Sequence, residues 1–231
     1  MLKNKIFILI LLIVSSYSCT NPEVEKSNFD FFAEQFEDIK VLRYQVPGFE
    51  ELTLKQKKLV YFLTEAGLAG RDIMYDQNYR HNLSIRRALE NIYTKYKGDK
   101  DNKNWKNFEI YLKRIWFSNG IHHHYSNDKF IPGFSDEYLQ SLLSDTETSL
   151  NSDALNIIFD DKDSKKVNRD ASKGLVIGSA VNFYGEDVTE KDVDTFYNIM
   201  KSPDPNKPLS LGLNSKLVKE DGRLIEKTYR V

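Results

Sequence analysis

A chain of 231 residues with a single cysteine cannot be held by internal disulfides, so its stability must come from a packed core. Its 33 basic and 34 acidic residues leave a net charge of −1, so no sign dominates and nothing points to a nucleic-acid partner. Aromatic residues make up 13% of the chain, a share that argues for a folded protein and against a disordered one.

Residues 1–18 read as a targeting segment: Lys3 and Lys5 precede an apolar run from Ile6 to Val14, and Ser15, Ser16 and Ser18 are small. The run is about half the roughly 20 residues that a membrane-spanning helix needs, so a signal peptide is the better reading. Cys19 follows Ser18 and precedes the polar stretch Thr20 to Glu23, a layout that resembles the lipobox of bacterial lipoproteins. The resemblance implies lipidation at Cys19, export, and a membrane anchor on the periplasmic side or at the outer membrane. Residues 19–28 are then a polar tether, and 29–231 the fold.

Further along, Ile39 to Val46 is rich in β-branched and aromatic residues and predicts a strand that Pro47-Gly48 ends. Thr53 and Gln56 make a capping-box pair ahead of Leu59, Phe62, Leu63, Ala66 and Ile73, which predicts one long helix. A second helix is expected from Ser84, with Ile85, Ala88, Leu89, Ile92, Tyr93 and Tyr96 on one face and a stop at Gly98. A third carries Trp105, Phe108, Tyr111, Leu112, Ile115 and Trp116 and breaks at Asn119-Gly120. The three faces are expected to pack together. Shorter helices should start at Ser135 and cover Asp153 to Phe159.

After the charged stretch Asp160 to Asp170, Leu175 to Tyr184 alternates like a strand, and Thr189 opens a helix bearing Val193, Phe196, Tyr197 and Met200. Pro203, Pro205 and Pro208 close it. Leu209 to Val218 and Leu224 to Val231 flank the turn Lys219 to Gly222, a hairpin signal. An isolated hairpin is marginal, and this one reaches the last residue, so the sheet is expected to want strands from elsewhere. The fold class is α+β: a helix-rich N-terminal part packed with a small, incomplete antiparallel β-core.

Self-sufficient catalytic chemistry is missing from these patterns. His122, His123 and His124 are consecutive, and zinc sites draw spaced ligands, so a loop that orders a neighbouring cleft is the favoured reading. His81 reads as a solvated histidine in a polar connector. There is no Gly-x-Ser-x-Gly elbow, and Gly174, Gly178 and Gly185 fit no phosphate-binding fingerprint. Gly178 and Gly212 instead suggest close approach of a backbone, such as that of a bound peptide.

The segment from Tyr111 to Tyr125 reads Tyr-Leu-Lys-Arg-Ile-Trp-Phe-Ser-Asn-Gly-Ile-His-His-His-Tyr and resembles the dipeptidyl peptidase III family, the M49 zinc exopeptidases, in its Bacteroidetes form. The similarity extends to Val41 to Pro47, Phe49 to Lys57, Gly70 to Ile73 with Asp76-Gln77-Asn78, Lys129 to Phe134 and Gly212 to Val218. It implies a two-lobed peptidase that removes N-terminal dipeptides from short peptides, with a zinc-bearing lobe and a lobe built round a β-core. In that family zinc is held by a His-Glu-x-x-Gly-His motif and a further glutamate, and the metal and the base generate the nucleophile.

No His-Glu pair occurs in this chain, so no catalytic residue and no metal ligand is assigned to it, and the zinc belongs to full-length relatives. The resemblance places the chain in the N-terminal, peptide-binding portion. Tyr125 is the residue expected to face substrate, with Asn119 and Gly120 shaping its loop. Three expectations follow: an N-terminal fragment inactive alone, a lipid-anchored peptide-binding module, or half of a split peptidase completed by a separately encoded C-terminal zinc lobe.

Overall fold

The computed structural model describes residues 29–163, 167–200, 202, 204, 206–207, 209, 211–212 and 214–228. The expected signal peptide and tether, Cys19, and the prolines at 203, 205 and 208 lie outside these residues. The fold is α+β and helix-rich, with two small antiparallel sheets of two strands each.

Residues up to Pro47 and those from Gly48 onward form two compact units. In the first, β1 (Phe32–Phe36) pairs antiparallel with β2 (Ile39–Leu42), and the register shifts between Phe32 and Glu34. Glu37 takes the left-handed conformation that the tight connection requires. The expected strand is therefore shorter than Ile39 to Val46, and it is completed by a partner from the phenylalanine-rich stretch before it. Phe31, Phe32, Leu42, Tyr44 and Val46 are exposed.

The second unit contains α1 (Leu54–Ala69), α2 (Arg71–Asn78), α3 (Asn82–Lys95), α4 (Lys103–Ser118), α5 (Asp136–Asp145), α6 (Ser152–Phe159) and α7 (Glu190–Asn198). Local chemistry sets several starts. Thr53 and Gln56 form the expected capping box, Asn102, Ser135 and Asn151 each accept a backbone N–H at the head of a helix, and Thr189 and Asp192 form a second box. The single helix expected from Thr53 through Ile73 is two, divided at Gly70. The second helix starts at Asn82, and the Ser84 hydroxyl donates to the His81 carbonyl instead of capping.

The core lies between α3 and α4. Ile85, Leu89 and Ile92 meet Trp105, Phe108, Leu112 and Ile115, and α5 and α6 close the far side with Leu139, Leu142, Ala154 and Ile158. Each large apolar side chain buried there contributes roughly 1.5–3 kcal/mol. Trp105 stacks on Tyr96 at 4.6 Å and carries the Lys100 ammonium 4.8 Å from its ring. Asp72 binds both Arg86 and Arg87, and these contacts hold its carboxyl low against the opposing effect of burial.

Helix α1 departs from expectation. None of its residues is buried, so the first of the three helical faces does not join the core. No helix among the described residues is long and apolar enough to cross a membrane.

The segment Leu175 to Tyr184 is not a strand. Side chains take backbone groups that a ladder would use: Glu190 accepts from Val176 N–H at 2.8 Å and Ser179 Oγ donates to the Leu175 carbonyl, while just upstream Asn168 Nδ2 donates to the carbonyls of Asp170 and Gly174. A Cβ on Gly178 would stand 2.5 Å from Asn168 Nδ2, so the close neighbour at this glycine is the chain's own asparagine. Only Tyr184 keeps a strand-like role, as a parallel bridge to Leu217.

That bridge leads to β3 (Ser215–Glu220), which pairs antiparallel with β4 (Arg223–Thr228) across Asp221-Gly222. Both turn residues have positive φ, 50° and 73°, the type I′ geometry whose twist suits a two-residue hairpin. The expected strand from Leu209 begins only at Ser215. Three consecutive residues at the end of α2 tie these parts together. Asp76 accepts from Asn182 Nδ2 at 2.9 Å, Gln77 Nε2 donates to the Ser215 carbonyl at 3.2 Å, and Asn78 Nδ2 donates to the Asn119 carbonyl at 3.4 Å.

Candidate functional site

The loop after α4 is held as a rigid backbone with an open tip. Asn119 ends the helix in the left-handed conformation, φ 52°, and Gly120 N–H donates to the Ile115 carbonyl at 3.0 Å. Gly120 has φ 148°, and a Cβ there would stand 2.1 Å from Asn82 Nδ2. Asn82 also donates to the Asn119 carbonyl and accepts from Ile121 N–H at 3.0 Å. Beyond it the chain doubles back: His122 bridges Lys129, Phe130 N–H donates to the Ile121 carbonyl at 2.8 Å, and His123 N–H donates to the Asp128 carbonyl at 2.8 Å. Tyr125 sits at the tip, 87% exposed.

The three histidines have three environments. His122 is buried, edge-on to Tyr79 with ring centroids 4.8 Å apart. His123 and His124 stack at 4.5 Å, and Tyr125 meets His124 at 4.1 Å, with Phe117 edge-on to His124 at 5.3 Å. His123 Nδ1 accepts from Tyr125 N–H at 3.2 Å. The outcome is an aromatic ledge, partly open to solvent, over a buried imidazole.

Beneath the ledge, Tyr79 Oη donates to Asp163 at 2.6 Å; burial first, and then this carboxylate, push the phenol far above its ordinary value. Lys129 Nζ donates to the carbonyls of Ile157 and Asp160 at the C-terminal end of α6, where a cation meets the negative end of the helix. Burial lowers its pKa, opposed by Asp163 and Asp160. His81 is not the solvated connector residue expected: it is half-buried at the head of α3, 5.4 Å from the Tyr79 ring, and burial lowers its pKa, with Arg80 adding to the effect. An open pocket of about 310 Å³ lies beside the loop, lined by Asn127, Val167, Arg169 and Asp170.

Asn119 and Gly120 thus set the loop's course, and Tyr125 is its most exposed aromatic side chain. Asn78, at the end of α2, and Asn82, at the start of α3, fasten it and carry no motif.

Among the described residues no group of three or more histidine, cysteine or acidic side chains could hold a metal, and His122 turns away from His123 and His124 into the core. In comparisons with known proteins, no family model matches the chain and no curated protein matches it.

Proposed function

We propose that this chain is the peptide-holding part of a zinc peptidase of the dipeptidyl peptidase III type, exported and anchored through a lipid on Cys19. The metal chemistry would come from a zinc-bearing lobe of that type; among the described residues no group of three or more histidine, cysteine or acidic side chains could hold the ion. The observation that carries the reading is the loop from Asn119 to Tyr125, which lies within the segment Tyr111 to Tyr125 that resembles the family. Its backbone is fastened at both ends while Tyr125 is left open, the combination that a binding loop on a rigid scaffold requires.

Short peptides with free N-termini and a fluorescent C-terminal label, titrated against the full chain, test this. Saturable binding that Tyr125→Ala weakens about tenfold supports it. Unchanged affinity in that variant would sink the assignment, and dipeptide release by the chain alone would contradict the absence of a catalytic site. Addition of a zinc-bearing half should produce dipeptide release that chelators abolish.

The self-contained core of α3 to α6 favours one second reading, a stand-alone lipid-anchored peptide-binding module. It is distinguished by peptide binding that a zinc-bearing half leaves unaltered, with no hydrolysis.

A further inference from the structure

Helix α1 exposes what a helix in water ordinarily hides. Its five consecutive apolar residues from Leu59 to Leu63 are between 43 and 64% exposed. A sixteen-residue helix is marginal by itself, and the capping box at Thr53 contributes only about 1 kcal/mol, so packing on its surface must supply the rest.

The order of residues points to what covers it. At 3.6 residues per turn, Leu54, Lys58, Tyr61, Phe62, Glu65 and Ala69 fall within an arc of about 100° on one side of α1. They are separated by steps of four, three, one, three and four residues, a spacing that is the same in both directions. Charge is divided along the same axis: Lys55, Lys57 and Lys58 lie in the first half and Glu65 in the second.

A second helix of the same sequence, laid antiparallel about a two-fold axis between Tyr61 and Phe62, sets Leu54 against Ala69, Lys58 against Glu65 and Tyr61 against Phe62. Every contact then occurs twice, as a two-fold interface demands. Large residues meet small ones at both ends, aromatic rings meet at the centre, and opposite charges flank them. A parallel arrangement would instead set Lys58 against Lys58 and Glu65 against Glu65.

We propose that α1 is a self-association surface, pairing antiparallel with α1 of a second copy of this chain through the stripe from Leu54 to Ala69. The inference is independent of the peptidase reading, since it uses neither the Tyr125 loop nor a zinc-bearing partner.

Sedimentation equilibrium of the full chain and its charge variants tests the proposal. The unaltered chain should be a dimer. Lys58→Glu and Glu65→Lys should each weaken it about tenfold or more, because each creates two like-charge pairs, and the double exchange should restore it. Leu63→Glu, on the opposite side of α1, should leave the dimer intact. Helical content by circular dichroism should match in every variant, since these positions are exposed. A chain that is monomeric at all concentrations overturns the proposal, as does association indifferent to both charge reversals, which would place the contact elsewhere. Dissociation by Leu63→Glu as strong as that by Lys58→Glu overturns it, because the contact is then not the stripe from Leu54 to Ala69.

Discussion

Asn82 and Gly120 are fitted to one another. The Asn82 amide binds the chain on both sides of Gly120, accepting from Ile121 N–H at 3.0 Å and donating to the Asn119 carbonyl at 3.4 Å. It can do so only because residue 120 has no side chain, since a Cβ would stand 2.1 Å from Nδ2. One polar group on α3 thereby fixes where α4 ends and where the aromatic ledge begins.

Gly120→Ala should therefore be costly. It combines a backbone conformation that side chains rarely adopt with a collision against a buried amide, and a loss of about 2–4 kcal/mol is expected from urea unfolding. A loss under about 0.5 kcal/mol would mean that the loop can shift without penalty.

Asn82→Ala should destabilise by about 1–3 kcal/mol, because the buried Ile121 N–H loses its acceptor. Asn82→Asp keeps an acceptor but sets a buried carboxylate oxygen against the Asn119 carbonyl, so its loss in urea unfolding should be the larger of the two. A smaller loss for Asn82→Asp than for Asn82→Ala would show that the acceptor role outweighs the buried charge.

Tyr125→Ala should separate binding from stability. At 87% exposure the side chain has little to lose on truncation, and the melting curve should stay within about 0.5 kcal/mol of the parent. Peptide affinity is the property expected to fall. A large change in melting would reassign Tyr125 to a structural role.

Acid should loosen the join between α7 and the hairpin. Lys219 on β3 lies 2.7 Å from Asp192, and its contact, followed by those of Thr189, holds the Asp192 carboxyl well below the usual carboxylate range. The folded state thus favours the ionised form. Its contribution is fully present at neutral pH, begins to fade as pH falls through about 4, where the unfolded group protonates, and is lost as pH falls through the lower folded value. Asp192→Asn should flatten the acid limb of a stability–pH curve measured by urea unfolding. A curve identical to the parent's would remove Asp192 from the account.

Much of the helical architecture was readable because its signals are local. Thr53 with Gln56, Ser135 and Thr189 announce helix starts through contacts three residues away, and Asp221-Gly222 announces the hairpin through backbone conformation alone. The core faces of α3 and α4 follow from periodicity. Periodicity does not say whether a partner is present, so it could not show that α1 lies uncovered. The apparent strand from Leu175 failed for a related reason: its alternation was real, but Glu190, 14 residues on, takes the Val176 N–H, and Ser179 takes the Leu175 carbonyl. Of the candidate site, Asn119 and Gly120 were visible as a helix break, whereas Asn78 and Asn82 act through contacts 41 and 37 residues away.

The run Asp76-Gln77-Asn78 has a consequence in time. Asn78 reaches its partner 41 residues later, Asp76 waits for one 106 residues on, and Gln77 for one 138 residues on. At synthesis rates of about 5–20 residues per second, Gln77 is made roughly 7–30 seconds before Ser215 exists to receive it. Helices α3 and α4 can collapse during that interval through short-range contacts, which form fastest. The helical core can therefore assemble while Asp76 and Gln77 still await Asn182 and Ser215.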